Sequence, residues 1–247
     1  MDASEYRRGQ PCWYHREGVG LSAVNDGCLV KSSIMIILQQ YFGNRPEYGQ
    51  LVELFHEASF RTELGQLADM TASEECNLAE MTMEQYEFIS ENKTAFYSFY
   101  LPVALALQYL QRTTEQNLAI ARELLLCMGC YFQVQDDYLD VFGDPKVTGK
   151  VGTDIRDNKC SWIALRAFEL CSSEQKAVLS LCYGISDMGK EARAKEVFCQ
   201  VDIEGVFRNF EMAELDNLEK RIEQIAGEDE PLQDVFWSVL EKITRRA

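Results

Sequence analysis

Apolar residues recur at three- and four-residue intervals through almost all of the 247-residue chain. That is the period of an amphipathic helix and not of a strand, so it narrows the architecture before any motif is considered. The spacing predicts helices over residues 19–41, 48–70, 83–110, 115–142, 158–170, 174–183, 189–200, 203–226 and 232–245. In the first, Val24, Cys28, Ser32 and Met35 share a face, with Leu21, Ile34 and Leu38 beside it. The third is expected to bend near Lys93 and again at Pro102, whose ring removes a backbone donor. Breaks fall at Arg45-Pro46, Gly143-Asp144-Pro145 and Glu228-Asp229-Glu230-Pro231. Thr82 is expected to cap the helix that starts at Met83, and Ser172 or Ser173 the one that starts at Glu174. With no internal repeat, low-complexity tract or linker, residues 1–247 read as one all-α domain, a large helical bundle.

Composition removes several functional classes. Lys and Arg number 24 against 40 Asp and Glu, a formal charge of −16. Nucleic acid and anionic membrane surfaces need basic patches and are therefore not expected as partners. A small anionic substrate stays open, because a divalent cation inverts the local field. The most apolar run, residues 96–110, is interrupted by Ser98, Pro102 and Gln108. It falls short of the roughly 18 apolar residues of a membrane span, so no span is expected. The polar N-terminal stretch has no apolar segment of the signal-peptide kind. Nine cysteines in a chain this long make no small-domain disulfide framework, which points to a reducing compartment, the cytoplasm. Cys127-Met128-Gly129-Cys130 is formally a CxxC, but it lies in an apolar helical pattern without a second pair, and core packing is the expectation. With only His15 and His56 available, a histidine-rich metal site is not expected.

One stretch sets three carboxylates inside this helical pattern: Phe132-Gln133-Val134-Gln135-Asp136-Asp137-Tyr138-Leu139-Asp140. Asp136 and Asp140 fall on one face, a turn apart, with Cβ atoms about 5–6 Å from each other. Like charges at that spacing repel unless a cation lies between them, and carboxylate oxygens are the ligands Mg²⁺ prefers. Alone, the same residues also make a solvated acidic turn. After the Gly143 break come Lys150, Asp154 and Lys159. Carboxylates for a metal followed by lysines for an anion suggest a metal-bridged diphosphate, and residues 143–159 are expected to form an ordered active-site loop.

Other residues carry two readings each. Arg7 and Arg8 sit in a proline-bounded, turn-like segment, where adjacent guanidinium groups can grip separate phosphates or simply decorate a surface. Lys93 and Thr94 interrupt an apolar helix, so Lys93 either meets an anion or snorkels to water. Tyr97, one turn on, either lines the same space or belongs to the core. Gln66 and Asp69 follow Glu63 on one helical stripe, which alone is an ordinary amphipathic face. The basic end Lys242-Ile243-Thr244-Arg245-Arg246-Ala247 suits a helix C-terminal dipole.

FQVQDDYLD with the following GDPKVTGKVGTDIRDNKCSW resembles the second aspartate-rich region of the short-chain trans-prenyltransferases, farnesyl diphosphate synthases in particular. The likeness extends, in family order, to Tyr6-Arg7-Arg8-Gly9-Gln10-Pro11-Cys12-Trp13-Tyr14, Thr62-Glu63-Leu64-Gly65-Gln66 and Lys93-Thr94-Ala95-Phe96-Tyr97-Ser98-Phe99-Tyr100-Leu101-Pro102. A single DDxxD is weak, and five ordered blocks are strong.

The resemblance implies the isoprenoid synthase fold and the condensation of an allylic diphosphate, dimethylallyl or geranyl, with isopentenyl diphosphate to give farnesyl diphosphate. It implies Mg²⁺ as cofactor, with Mn²⁺ as the alternative, held by Asp136, Asp137 and Asp140 on one wall and Asp2 on another. In the family a DDxxD stands immediately before the Arg-Arg-Gly block, and Asp2 alone matches it here. The resemblance therefore implies a member shortened at its N-terminus. It assigns Arg7 and Lys93 to the allylic diphosphate and Arg8 to that of isopentenyl diphosphate. Lys150 and Lys159 neutralise the departing diphosphate, while Thr94 and Gln133 present oxygens to the developing cation. Gln66, Tyr97 and Phe132 become pocket residues, Asp69 a partner behind them, and Asp154 a residue that orients Lys150 or bound water. The basic C-terminus becomes part of the closure over substrate, and the partner a second copy or a full-length homologue. A noncatalytic subunit and a class I terpene cyclase are the other classes these residues allow.

Overall fold

The computed structural model describes residues 6–7, 9–149, 151–225 and 230–245. Asp2, Arg8, Lys150 and the last two residues lie outside the described residues, as does the side chain of Arg7. A short antiparallel ladder opens the chain: β1 (Tyr6–Arg7) pairs with β2 (Gln10–Pro11) around Gly9 at φ +70°. A single 3₁₀ turn, Trp13–His15, follows. The helical periodicity then resolves into α1 (Ser22–Phe42), α2 (Tyr48–Glu75), α3 (Met83–Ser90), a π-helical segment (Glu91–Tyr100), and α4 (Leu101–Tyr109). The second half holds α5 (Glu115–Phe142), the one-turn α6 (Pro145–Thr148), α7 (Trp162–Leu170), α8 (Ser173–Cys182), α9 (Met188–Gln200), α10 (Ile203–Gln224) and α11 (Glu230–Thr244).

Local chemistry accounts for most of these boundaries. Thr82 and Gln85 form a reciprocal capping box at α3, and Ser172 and Gln175 form another at α8, so Ser172 and not Ser173 is the cap. Thr114, Ser161, Asp187 and Asp202 cap α5, α7, α9 and α10 through their side chains. The helix expected from residue 158 starts at Trp162 instead. Asn158 adopts a left-handed φ of +53°, which a continuing helix does not allow. At Lys93 the expected bend is a π-helical register between two α segments, and Pro102 stands at the start of α4, where its missing N–H costs least.

Two apolar clusters form the interior, and α5 runs through both. Val134 and Val141 on its C-terminal half meet Trp162, Ile163, Phe198, Ile203 and Phe207. Its N-terminal half, from Ala121 to Tyr131, packs against Phe96, Leu218, Ile222 and Phe236. Full burial of a side chain such as Phe96, Phe198 or Phe236 contributes about 1.5–3 kcal/mol. On the far side of α5, Tyr131 Oη donates to Glu211 Oε1 at 2.8 Å, and Gln135 Nε2 donates to Tyr131 Oη at 2.7 Å. Hydrogen bonds as well as packing therefore tie α5 to α10.

Glycine sets how closely the π segment is held. A Cβ on Gly65 of α2 would overlap the Lys93 backbone, and one on Gly129 of α5 would overlap Ala95. The segment is thus clamped from both sides by helices that approach at backbone distance. Replacing Gly129 or Gly65 with Val is expected to lower stability by about 1–3 kcal/mol, read as a lower urea midpoint. Gly27 on α1 has no atom near its Cβ position and is exposed. Gly27→Ala is expected to raise stability by roughly 0.5–1 kcal/mol, which checks that space and not glycine itself is decisive.

Candidate functional site

A cavity of about 930 Å³ opens between α2, α3 with its π segment, α5, Gly149 and the chain from residue 151 to 161. Each wall places its residues by helical spacing. From α5 come Phe132, Gln133, Asp136, Asp137 and Asp140; from α2, Gln66 and Asp69; from α3 and the π segment, Tyr86, Ile89, Lys93, Thr94 and Tyr97. The loop adds Thr153, Asp154, Lys159 and Ser161.

The loop is fixed at both ends. Asp154 N donates to Asp140 Oδ1 at 2.9 Å, and Gly152 lies so close to the Asp140 backbone that a Cβ there would overlap it. Asn158 Nδ2 donates to Ser73 O at 2.9 Å and Cys76 O at 2.8 Å, pinning the far end to the last turn of α2. Tyr183 Oη donates to Lys159 O at 2.6 Å. These contacts carry the Lys159 side chain to Asp69.

Asp69 is 4% exposed, and its Oδ2 accepts from Lys93 Nζ at 2.6 Å and from Lys159 Nζ at 2.7 Å. Two ammonium groups from different parts of the chain thus share one carboxylate oxygen and line one cavity. An ammonium has three donors, so this anchorage is compatible with contact to an anionic ligand. The expectation that Asp69 stands behind the pocket residues agrees with this geometry. A second polar chain runs beside it. Thr94 Oγ1 donates to Gln133 Oε1 at 2.8 Å, Gln133 Nε2 donates to Asp137 Oδ1 at 2.9 Å, and Trp162 N donates to Asp137 Oδ2 at 2.8 Å.

The three aspartates of the motif therefore divide. All three border the cavity, but Asp136 and Asp140 are partly exposed while Asp137, 4% exposed, has both oxygens hydrogen-bonded within the protein. Burial raises the Asp137 carboxyl above the usual carboxylate range; the bonds from Gln133 and Trp162 oppose this, and the Asp136 charge adds to it. Among the described residues, no group of three or more His, Cys, Asp or Glu side chains is set to enclose a metal ion. The pair of carboxylates at Asp136 and Asp140 offers hard oxygen donors of the kind Mg²⁺ takes with phosphate oxygens and water as its remaining ligands.

Gln66 borders the cavity, and its Nε2 is buried with no hydrogen-bond partner among the described residues. A buried donor left unmet costs about 1–3 kcal/mol, so this position is suited to a ligand acceptor. Tyr97 is 48% exposed and lines the cavity, which sets aside its reading as a core residue. Phe132 also lines the cavity and makes an edge contact with Phe99 at 5.4 Å between ring centroids. Cys127 and Cys130 are partly buried free thiols, as are or are more deeply buried most of the other cysteines; burial pushes the Cys130 thiol up to about 11. Cys127 Sγ accepts from Arg221 Nη1 at 3.3 Å, so it is more than core filler.

Tyr86 escaped the sequence reading. Its hydroxyl is buried beside Asp137 and Ser90 without a well-formed hydrogen bond among the described residues, and burial, reinforced by the Asp137 charge, holds its phenol well above the ordinary value. The signal was available: Tyr86, Ile89, Lys93 and Tyr97 form one stripe at helical spacing.

The polyprenyl synthetase family model matches residues 1–201. A farnesyl pyrophosphate synthase of Schizosaccharomyces pombe is 47% identical over 248 residues, covering 100% of this chain and 72% of the relative. One from Bos taurus is 42% identical over 248 residues, covering 100% of this chain and 70% of the relative. A solved structure of Trypanosoma brucei farnesyl diphosphate synthase in complex with risedronate superposes with a TM-score of 0.87 at 33% identity, covering 99% of this chain and 71% of that one.

Asp69→Ala separates placement from charge at this site, because both lysines remain. It is expected to weaken binding of inorganic diphosphate in the presence of Mg²⁺ by at least about tenfold, measured by calorimetry on protein with an unchanged circular dichroism spectrum.

Proposed function

The chain belongs to the polyprenyl synthetase family, and on that premise we propose that it joins an allylic diphosphate, dimethylallyl or geranyl, to isopentenyl diphosphate and releases farnesyl diphosphate. By family it is a trans-prenyltransferase. The observation that carries the substrate assignment is the company kept in one cavity: the carboxylates of Asp136 and Asp140, the ammonium groups of Lys93 and Lys159, and the unmet donor of Gln66. Cations and donors suit a diphosphate, and hard carboxylates suit the metal that accompanies it.

Mg²⁺, or Mn²⁺ in its place, would be held by Asp136 and Asp140, with Asp2 assigned to the opposite wall, and would supply Lewis-acid neutralisation of the leaving diphosphate. The chain's own groups do the rest. Lys93 and Lys159, steadied by Asp69, bind the diphosphate oxygens and offset their growing charge as the allylic C–O bond breaks. Arg7 and Lys150 are assigned to the same allylic diphosphate, and Arg8 to the diphosphate of isopentenyl diphosphate. Thr94 and Gln133 turn oxygen toward the allylic carbons. Phe132 and Tyr97 wall the hydrocarbon and exclude water that would quench a cation. The double bond of isopentenyl diphosphate then attacks, and a proton leaves to the released diphosphate. Asp154, whose N–H holds Asp140, orients the loop that bears Lys150 and Lys159.

A second copy or a homologous chain is the proposed macromolecular partner. Val30, Ile34, Ile37 and Tyr41 make an exposed apolar stripe along α1, joined by Leu21, Val24 and Ile36, and surfaces of this kind mark interfaces. No helix among the described residues is long and apolar enough to cross a membrane. We assign the protein to the cytoplasm. The names of the relatives favour chain elongation over terpene cyclisation or a noncatalytic role.

The decisive assay incubates the folded protein with Mg²⁺, geranyl diphosphate and labelled isopentenyl diphosphate. Farnesyl diphosphate is the expected product, and Asp136→Ala is expected to lower its formation by about a thousandfold, equivalent to about 4 kcal/mol. Absence of product from the folded protein would refute the proposal.

A further inference from the structure

A carboxamide has two nearly isosteric ends, and the hydrogen-bond network decides which one faces where. At Gln133 that network begins at α7. Trp162 is the first residue of that helix, and its N–H, one of the donors a helix start leaves unmet, goes to Asp137 Oδ2 at 2.8 Å. Asp137 Oδ1 accepts from Gln133 Nε2 at 2.9 Å, so the nitrogen end of the carboxamide faces Asp137. The amide oxygen is left toward Thr94, whose hydroxyl must donate to it, at 2.8 Å. At 4% exposure, Asp137 has little water to replace either bond.

We propose that Asp137 acts as a positioning residue and not as a metal ligand, fixing the polarity of the Gln133 carboxamide so that oxygen rather than nitrogen is presented to the allylic cation. This inference rests on the proposed prenyl transfer. Reversed, the amide would aim N–H groups at carbon that is becoming positive and would destabilise the transition state it is placed to support. Asp136 and Asp140, one residue before and three after the buried Asp137, keep the metal-binding role.

The test is binding, so that it reads the site without requiring turnover. Two probes are used with Mg²⁺: an ammonium analogue of the allylic cation together with inorganic diphosphate, and an allylic thiolodiphosphate, whose hydrocarbon carries no positive charge. In Asp137→Asn the Trp162 N–H still claims the one available oxygen, so the new amide turns its nitrogen to Gln133 and forces that carboxamide over. Calorimetry is expected to show affinity for the ammonium probe reduced by at least about tenfold. Affinity for the thiolodiphosphate, and its dependence on Mg²⁺ concentration, should stay within about twofold. Adding Gln133→Glu to Asp137→Asn supplies an acceptor at both ends and should recover most of the lost affinity, a rescue that loss of a metal ligand would not show. Gln133→Leu alone should reproduce the selective loss, and it stands in if Asp137→Asn does not fold. Equal weakening of both probes, a shift in Mg²⁺ dependence like that of Asp136→Asn, or no rescue would each overturn the inference. Unsubstituted protein that binds neither probe would instead bring down the proposed function on which it rests.

Discussion

Asp69 Oδ2 is the point to which three parts of the chain are tied. An isolated carboxylate at its depth would be strongly disfavoured, and removing one partner of a buried ion pair costs far more than forming the pair gains. Two ammonium groups meet it, one from the π segment and one from the loop after α6, so α2, the middle of the bundle and the loop must be correctly placed together. The arrangement holds Lys93 and Lys159 at the cavity before any ligand arrives. Preorganised cations need less rearrangement as charge develops on a leaving group, which is where electrostatic catalysis draws its advantage.

Close backbone approach makes that meeting geometrically attainable. Gly65 and Gly129 let α2 and α5 press on the segment that carries Lys93 and Thr94, and the π register alters the angular positions of side chains relative to a regular α-helix. Asn158 performs the equivalent service for the loop, taking a left-handed conformation and capping carbonyls at the end of α2. Gly65, Gly129 and Asn158 do not line the cavity, yet they determine where the lysines end.

The helices were legible because burial imposes a period, and Thr82 and Ser172 were legible as caps because capping is local chemistry. Asp136 and Asp140 were placed on one face by the same arithmetic. That arithmetic also turns Asp137 about 100° from Asp136 and about 60° from Asp140, so its burial was within reach of the sequence, although the family resemblance grouped all three. The pairing of Asp69 with Lys93 and Lys159 was not readable, since it joins residues far apart in sequence and depends on the loop's path. The start of α7 was misplaced for a related reason: Asn158 follows a long-range demand from α2 and not a local helical preference. The π register at Lys93 was read only as a bend, because side-chain periodicity does not reveal which carbonyl each N–H has chosen.

The far side of α5 has a consequence for its near side. Tyr131 and Gln135 grip Glu211 on α10 through hydrogen bonds in a buried setting. A helix free to roll about its axis would swing Asp136 and Asp140 by many degrees with little change in apolar contact, because oily packing has no preferred direction. Hydrogen bonds are directional, and these act as a key in a slot. The aim of the two carboxylates is thus set from behind, by residues that never see the cavity.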